Sequence, residues 1–249
     1  MRGARFAIIG VSLLCLSGCG ANWGWYAVSP ADPRGLKNLS FMVDGFVNTI
    51  TLSAAATVTA TVLGLVVAIL GLLPSRLCRM ANRAHVELLR ATPPLVLILW
   101  VFYGLPIVLD IRVSIFWAAL VAIGLCDSAF QAEIFRGGIQ SIEQGQRDAA
   151  KALGLTGWQQ MRLVILPQAI RRVLPPLANQ FVTVVKLSSL ASVIGYEDLT
   201  RRANELVVTV FRPLEIYTVL IVEYLVLVMT ISYLVRRLER RLSAGTTRG

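Results

Sequence analysis

The sequence predicts an all-α protein: an integral membrane bundle of five transmembrane helices, with two short cytoplasmic helices between spans three and four. Three observations carry that prediction. Only 15% of the 249 residues are charged and 56% are apolar, whereas about a quarter of a soluble domain is charged. The apolar residues gather into runs long enough, or nearly so, to cross about 30 Å of hydrocarbon as a helix. The basic residues outnumber the acidic ones by 24 to 14. They fall in short clusters between the apolar runs, a pattern that orients a membrane protein and argues against nucleic acid as a partner.

The chain opens with Arg2 and Arg5, followed by an apolar run from Phe6 to Leu16. A run of about 11 residues is too short to span as a helix and suits the core of a signal peptide. It ends in Leu16-Ser17-Gly18-Cys19, which resembles a bacterial lipobox. Residues 1–19 are therefore expected to be a signal peptide, with Cys19 as a lipidation site. An uncleaved anchor helix that contains cysteine is the alternative. Residues 20–45 then form an external segment ahead of the first span.

The first span is Phe46 to Leu73, 28 residues without a formal charge, whose threonines and glycines suit close packing against other helices. The linker from Pro74 to Arg90 sets four arginines against the single acid Glu87. Leu95 to Leu109, slightly short, is the second span, and a turn at Asp110-Ile111-Arg112 leads to the third, which runs from Val113 through Phe130 and carries Asp127. The fourth, Val173 to Ile194, contains Pro175, Pro176, Asn179, Gln180, Lys186, Ser188 and Ser189. A helix that faces lipid cannot carry these cheaply, so it is expected to be buried among other helices. Leu214 to Val235 is the fifth, with Glu223 inside it.

The Pro74–Arg90 linker, the segment from Glu133 to Arg172 and the tail from Arg236 hold four, six and five basic residues, fifteen of the twenty-four. Five alternating spans put all three on one side, which the positive-inside rule makes the cytoplasm. The amino terminus then lies outside, an arrangement that a cleaved signal peptide delivers. The four cysteines form no CxxC pair and His85 is the only histidine, so no metal site is expected. Cys78 and Cys126 are read as small buried apolar residues.

The polar stretch from Asp148 to Gln168 is too polar to cross a bilayer and too apolar to be a solvated linker. Gln146 to Leu153 consists of good helix formers apart from Asp148, which stands three residues before Lys151. Gly154 can end that helix in a left-handed cap. A second short helix from about Thr156 to Leu166 would use Trp158, Met161, Leu163 and Ile165 as contacts, and Pro167 would restart the chain before the next span. Such a pair can lie on lipid or dock into a partner.

Asp148-Ala149-Ala150, three residues, Gly154, nine residues, then Val164-Ile165-Leu166-Pro167 resembles the EAA motif of ABC importer permeases, EAA-x3-G-x9-I-x-L-P. The likeness continues through "AEIFRGGIQSIEQGQ", "QAIRRVLPPLANQFVTVVKLSSLASVIG", "DLTRRANEL", "FRPLEIY" and "YLVRRLERRL". Upstream, "HVELLRATPPLVLILWVFYGLP" resembles the polar amino acid uptake subfamily. The resemblance covers about Leu39 to Leu242. It implies a transmembrane domain over 46–242, a cytoplasmic tail over 243–249, and a place in a bacterial inner membrane. It also implies that the two short segments are coupling helices seated in a groove of an ATP-binding subunit, whose closure drives alternating access.

By that resemblance Asp148, Ala149 and Ala150 pack into the groove, Gly154 makes the turn, and Val164, Leu166 and Pro167 fix the exit. Asp148 stands where the family has glutamate, and Val164 where it has isoleucine. The implied partners are two copies of the ATPase subunit, a second permease that is the same or homologous, an extracytoplasmic substrate-binding protein, and the lipid membrane. The chain has no GxxxxGK[ST] loop, so no cofactor is expected in it and ATP belongs to the partner. The cargo implied is a polar amino acid or related zwitterion.

Lys186, Asp127 and Glu223 are ionisable groups at membrane depth and mark a possible translocation path. Lys186 could meet a substrate carboxylate, but pairing with Asp127 or Glu223 inside the bundle is the expectation. Glu133 and Arg136 should form a local ion pair. The charged segment from Tyr196 to Arg212 is external and either solvated or a docking face for the binding protein. The rival readings are a channel or a membrane-embedded enzyme not coupled to ATP. A hydrolase would need a histidine partnered within the bilayer, and His85, read as cytoplasmic, is expected to have no such partner; no enzyme activity is expected of this chain.

Overall fold

The computed structural model describes residues 23–243, and all the regular structure among them is helical. The signal-peptide and lipidation expectations for residues 1–19 lie outside the described residues, as does the tail beyond residue 243.

A short 3-10 turn, Trp25–Val28, precedes the first long helix, α1, Pro33–Leu72. Asp32 caps it by accepting the Arg34 N–H at 2.8 Å, with Pro33 at the first helical position. Its 40 residues would extend about 60 Å, twice the hydrocarbon thickness. The helix thus starts well before Phe46, within the segment read as external. Its buried face is built from Gly45, Thr49, Leu52, Ser53, Ala56, Ala60, Gly64 and Val67. Their recurrence every three or four residues makes one continuous stripe of mostly small side chains.

That stripe meets α4, Ile115–Gln140, which buries Ala118, Ala119, Ala122, Cys126, Ala129 and Ala132. The two run parallel. A Cβ on Gly124 would come within 3.1 Å of Thr59, and one on Gly64 within 2.9 Å of the Ser128 carbonyl oxygen. Such close backbones replace the hydrophobic drive that lipid cannot supply. The hydroxyls of Thr49, Ser53 and Thr59 each donate to the carbonyl four residues back, so they leave no unmet donor in an apolar setting.

The five expected spans are found only in part. Among the described residues four helices are long and apolar enough to cross a membrane: α1, α4, α6 (Gly157–Ile194) and α8 (Pro213–Ser243, of which Pro213–Arg237 qualifies). The expected second span, Leu95–Leu109, lies in α3, Pro94–Leu109, which meets α2, Arg76–Ala91, at 101°. Only the bent pair counted together makes a fifth crossing. Consecutive prolines explain the break: Thr92 and Pro93 are extended, and neither Pro93 nor Pro94 has an N–H to continue the ladder.

Two further prolines are absorbed. The Leu105 N–H reaches back to the Trp100 carbonyl, and the Leu166 N–H to that of Met161, each closing a π turn immediately before Pro106 or Pro167. The widened turn relieves the clash between the ring and the carbonyl four residues earlier. Pro167 therefore does not end a short helix. The second of the two expected coupling helices is instead the first turns of α6, which runs on to Ile194. The first, α5, Gln144–Ala152, is a separate helix.

At the end of the bundle away from the arginine clusters, α7 (Leu199–Val210) begins on Asp198, whose carboxylate accepts the Arg201 N–H at 2.8 Å. Asp198 is fully buried, and burial pushes its carboxyl up to about 7, against the pull of its hydrogen bonds from backbone N–H groups and from Tyr224. The raised folded value means that the native state holds this proton more tightly than the unfolded chain does. The stabilisation is complete below about pH 4 and is lost as pH rises through about 7. Amide-exchange protection of α7 is therefore expected to fall between pH 5 and pH 8. Asp198→Asn, which keeps the cap acceptor but cannot ionise, should flatten that profile; an unchanged slope in the variant would assign the titration to another group.

Candidate functional site

The most exposed apolar surface at the arginine-rich end is the turn between α5 and α6. The helix α5 ends in a complete left-handed cap. Gly154 has φ 73°, its N–H donates to the Lys151 carbonyl at 2.9 Å, and the Leu155 N–H donates to the Ala150 carbonyl at 3.1 Å. A Cβ on Gly154 would meet nothing within 4 Å, so glycine is needed there for its backbone angle and not for space. Thr156 then starts α6 with a capping box: its hydroxyl accepts the Gln159 N–H, and the Gln159 side chain accepts the Thr156 N–H at 2.8 Å.

Around this turn the structure separates the sequence-predicted residues. Asp148 and Ala149 are exposed, while Ala150 is buried within the chain itself. Asp148 receives a hydrogen bond from Gln144 at 3.0 Å and lies 3.8 Å from Lys151. Val164 is half-buried beside buried Ile165, whereas Leu166 and Pro167 are exposed. The sequence reading did not single out Leu153, which is 79% exposed; with Trp158 at 72% it forms an apolar knuckle over the turn. The T-x-x-Q box at Thr156 was the legible sign that a helix starts so soon after Gly154.

The knuckle is tied to both neighbouring helices. Arg147 donates to the Ile139 carbonyl and Arg172 to that of Ser141, so two cations satisfy orphan carbonyls at the end of α4. Gln168 on α6 donates to the Gln146 side chain at 3.3 Å. The knuckle is thus joined to α4 and, through a helix that continues to Ile194, to the opposite end of the bundle.

Of the three ionisable groups expected at membrane depth, the structure brings none together. Asp127 is fully buried and accepts from Gln131 at 2.6 Å and Gln180 at 2.5 Å; Gln131 in turn accepts from Thr61 at 2.7 Å. This amide network joins α1, α4 and α6, and it replaces the expected salt bridge. Two amides meet the lone pairs of the carboxyl without bringing a second charge out of water. Glu223 is half-buried, and one of its carboxyl oxygens has no hydrogen-bond partner among the described residues. Lys186 makes no ion pair among the described residues and is exposed. It falls on a stripe with Arg172, Pro176, Asn179 and Thr183, all exposed and spaced four, three, four and three apart. The other described helices of this chain leave that face of α6 exposed.

Glu133 and Arg136 form the expected pair, with two contacts of 3.0 and 2.7 Å. In the Tyr196–Arg212 segment, Arg201 pairs with Glu205 at 2.9 Å and Arg202 with Glu197 at 2.7 Å. His85, expected to have no catalytic partner of the hydrolase kind, contacts the Ser128 hydroxyl at 2.9 Å. That hydroxyl is buried and donates to the Leu125 carbonyl, and the adjacent Asp127 bonds two glutamines and not the imidazole. The relay from acid through histidine to an open nucleophile is not assembled.

Comparison with known proteins gives a consistent answer. A model of the family described as "Binding-protein-dependent transport system inner membrane component" matches residues 60–244. The chain is 36% identical over 219 residues to the glutamine transport system permease protein GlnP of Escherichia coli (strain K12), covering 88% of this chain and 97% of that one. It is 40% identical over 206 residues to the probable glutamine ABC transporter permease protein GlnM of Bacillus subtilis (strain 168), covering 82% and 94%. Among solved structures it superposes on an amino acid ABC transporter with TM-score 0.79 and 34% identity, over 83% of this chain and 96% of that one. The MetNI methionine ABC transporter, at 21% identity and TM-score 0.70, shares the fold.

Proposed function

The chain belongs to the family of binding-protein-dependent transport system inner membrane components, and from that premise we propose that it carries a polar amino acid or related zwitterion inward as the permease subunit of an ATP-driven importer. ATP is bound and hydrolysed by a separate subunit, present in two copies. A second permease, the same or homologous, completes the pore, and a substrate-binding protein docks on the charged Tyr196–Arg212 segment.

The observation that carries this reading is the knuckle of Leu153 and Trp158 above the Gly154 turn. It is apolar, exposed and rigidly capped, and it sits on the helix that reaches the far end of the bundle. Surfaces of that kind are partner sites. In this reading Asp148, Ala149, Leu153 and Trp158 enter the ATPase groove, while Ala150 and Val164 hold the knuckle from beneath. The bent pair α2–α3 contributes one crossing, made by α3, giving five, with the amino terminus outside and the arginine-rich end in the cytoplasm.

The stripe of Arg172, Asn179, Thr183 and Lys186 supports the second permease. Polar groups on a membrane helix need protein or water opposite them, and these side chains are exposed on the described chain. Lys186 then faces the path and is free to meet a substrate carboxylate. The test is uptake of labelled glutamine by proteoliposomes that contain the complete transporter and ATP. Uptake that needs ATP and the binding protein is expected for wild type. Lys186→Gln should raise KM by about ten- to a hundredfold, the worth of one charge-assisted hydrogen bond, with ATPase retention unchanged. Glutamine leak without ATP would replace this reading with a channel.

A further inference from the structure

The helix α2 has three faces, and neither the fold nor the transport reading uses two of them. Cys78, Asn82, His85, Val86 and Leu89 turn toward the protein: Asn82 donates to the Val67 carbonyl at 2.8 Å, His85 meets Ser128, and Val86 packs with Val67 and Ala132. Leu77, Met80, Ala81, Ala84 and Leu88 recur at three- and four-residue spacing on a second face, and all are exposed, Leu77 by 75%, Met80 by 67% and Leu88 by 68%. Between these two faces run Arg76, Arg79, Arg83 and Arg90.

The arginine face opens on a recess of about 410 Å³, shared with α4 and lined by Arg79, Arg83, Arg90 and Arg136 against Glu87 and Glu133. Glu133 is engaged by Arg136. Glu87 lies 3.9 Å from Arg83, and both side chains are well exposed, so the pair holds little. Arg79 donates from one nitrogen to the Leu73 and Pro74 carbonyls, and Arg90 sits 5.4 Å over the Phe130 ring. Most of the N–H donors of Arg79, Arg83 and Arg90 therefore have no hydrogen-bond partner among the described residues.

We propose that α2 lies on the cytoplasmic leaflet, with its apolar stripe in the acyl region and its arginine recess holding the headgroups of anionic phospholipids. Four features favour lipid as the occupant. The helix follows α1 after three residues and precedes apolar α3 after two, so it is held against the membrane at both ends. At 101° the two members of the bent pair cannot both follow the membrane normal. The apolar α3 is the one that enters the hydrocarbon. An exposed apolar stripe flanked by arginines, with a charged face and low overall apolarity, is the composition of helices that lie in the interface. An excess of guanidinium groups at that depth matches the phosphate layer of the inner leaflet. The proposal rests on the orientation given above but not on any transported substrate.

The test reconstitutes the complete transporter in vesicles of phosphatidylcholine with phosphatidylglycerol, including a photoreactive phosphatidylglycerol with its diazirine on the acyl chain. Label is expected on the tryptic peptides Met80–Arg83 and Ala84–Arg90. Native mass spectrometry after mild delipidation should find phosphatidylglycerol retained by wild type. Retention should fall about fivefold for each arginine removed in Arg79→Gln and Arg83→Gln, and Arg83→Lys should keep it. Inorganic phosphate should displace the lipid no better than chloride at equal ionic strength. The proposal is overturned if those peptides stay unlabelled while span peptides are labelled, or if retention ignores the arginines. Efficient cross-linking of Leu88 to a second permease copy would equally overturn it, by giving the stripe to protein.

Discussion

Gly154→Trp is expected to abolish retention of the ATPase subunit while leaving the membrane bundle intact. Gly154 holds φ 73° within a two-bond cap, and an L-residue in that region costs about 1–2 kcal/mol. A Cβ there would meet nothing within 4 Å, so the disturbance stays at the turn and the spans should insert and pack as before. The damage falls on the knuckle, where strain tilts α5 against α6 and a new ring stands between Leu153 and Trp158. A docking surface that relies on a few apolar anchors does not survive such a shift. Co-purification with a co-expressed ATPase subunit reads the outcome. Wild type should bring the subunit down, and Gly154→Trp should lose at least nine-tenths of it, on the order of 1.4 kcal/mol or more. Gly154→Asn should retain most of it, because asparagine tolerates the left-handed region. Equal retention by wild type and the tryptophan variant would remove the knuckle from the interface.

Gly45→Val is expected to prevent the bundle from folding. A Cβ at this position would stand 2.7 Å from the Asp198 carbonyl carbon, the Asp198 carbonyl oxygen and the Leu199 nitrogen. All three are backbone atoms and cannot swing aside. To admit valine, α1 must part from the start of α7. That parting breaks the bond from the Leu199 N–H to the Thr49 hydroxyl at 3.2 Å, the bond from Asn48 to the Glu197 carbonyl at 2.8 Å, and the bond from the Tyr196 hydroxyl to the Asn48 carbonyl at 3.1 Å. Overpacking and three lost hydrogen bonds together cost about 3–5 kcal/mol. Size-exclusion profiles of detergent-solubilised protein should show aggregate in place of a single peak. Gly137→Ala is the control, since a Cβ there meets nothing within 4 Å and alanine favours the helix by about 1 kcal/mol. A normal profile for Gly45→Val would mean that the two backbones are farther apart than 2.7 Å contacts require.

Much of the site was legible because short-range rules govern it. Gly154 needs a positive φ whatever surrounds it, and the helix ends where the glycine stands. Arg136 finds Glu133 because three residues on a helix bring them to one face. The exposure of Leu153 was not legible. A leucine at the end of a nine-residue helix reads as core until the turn is seen to carry it away from the bundle. Pro167 misled for a related reason: proline marks a probable helix end, and only the π turn before it lets α6 continue.

By itself the sequence determined what depends on solvent and on neighbours along the chain. Apolar runs marked the long helices and Gly154 marked a turn, since transfer free energy and backbone sterics act locally. Only the tertiary structure decided which polar groups meet. Asp127 is satisfied by Gln131 and Gln180 and not by Lys186, because its helix faces α6 at Gln180 and the lysine projects from another side. The count of spans likewise turned on a 101° bend. Pairing in a bundle is set by helix rotation and crossing, quantities that arise from all the contacts together and are written at no single position.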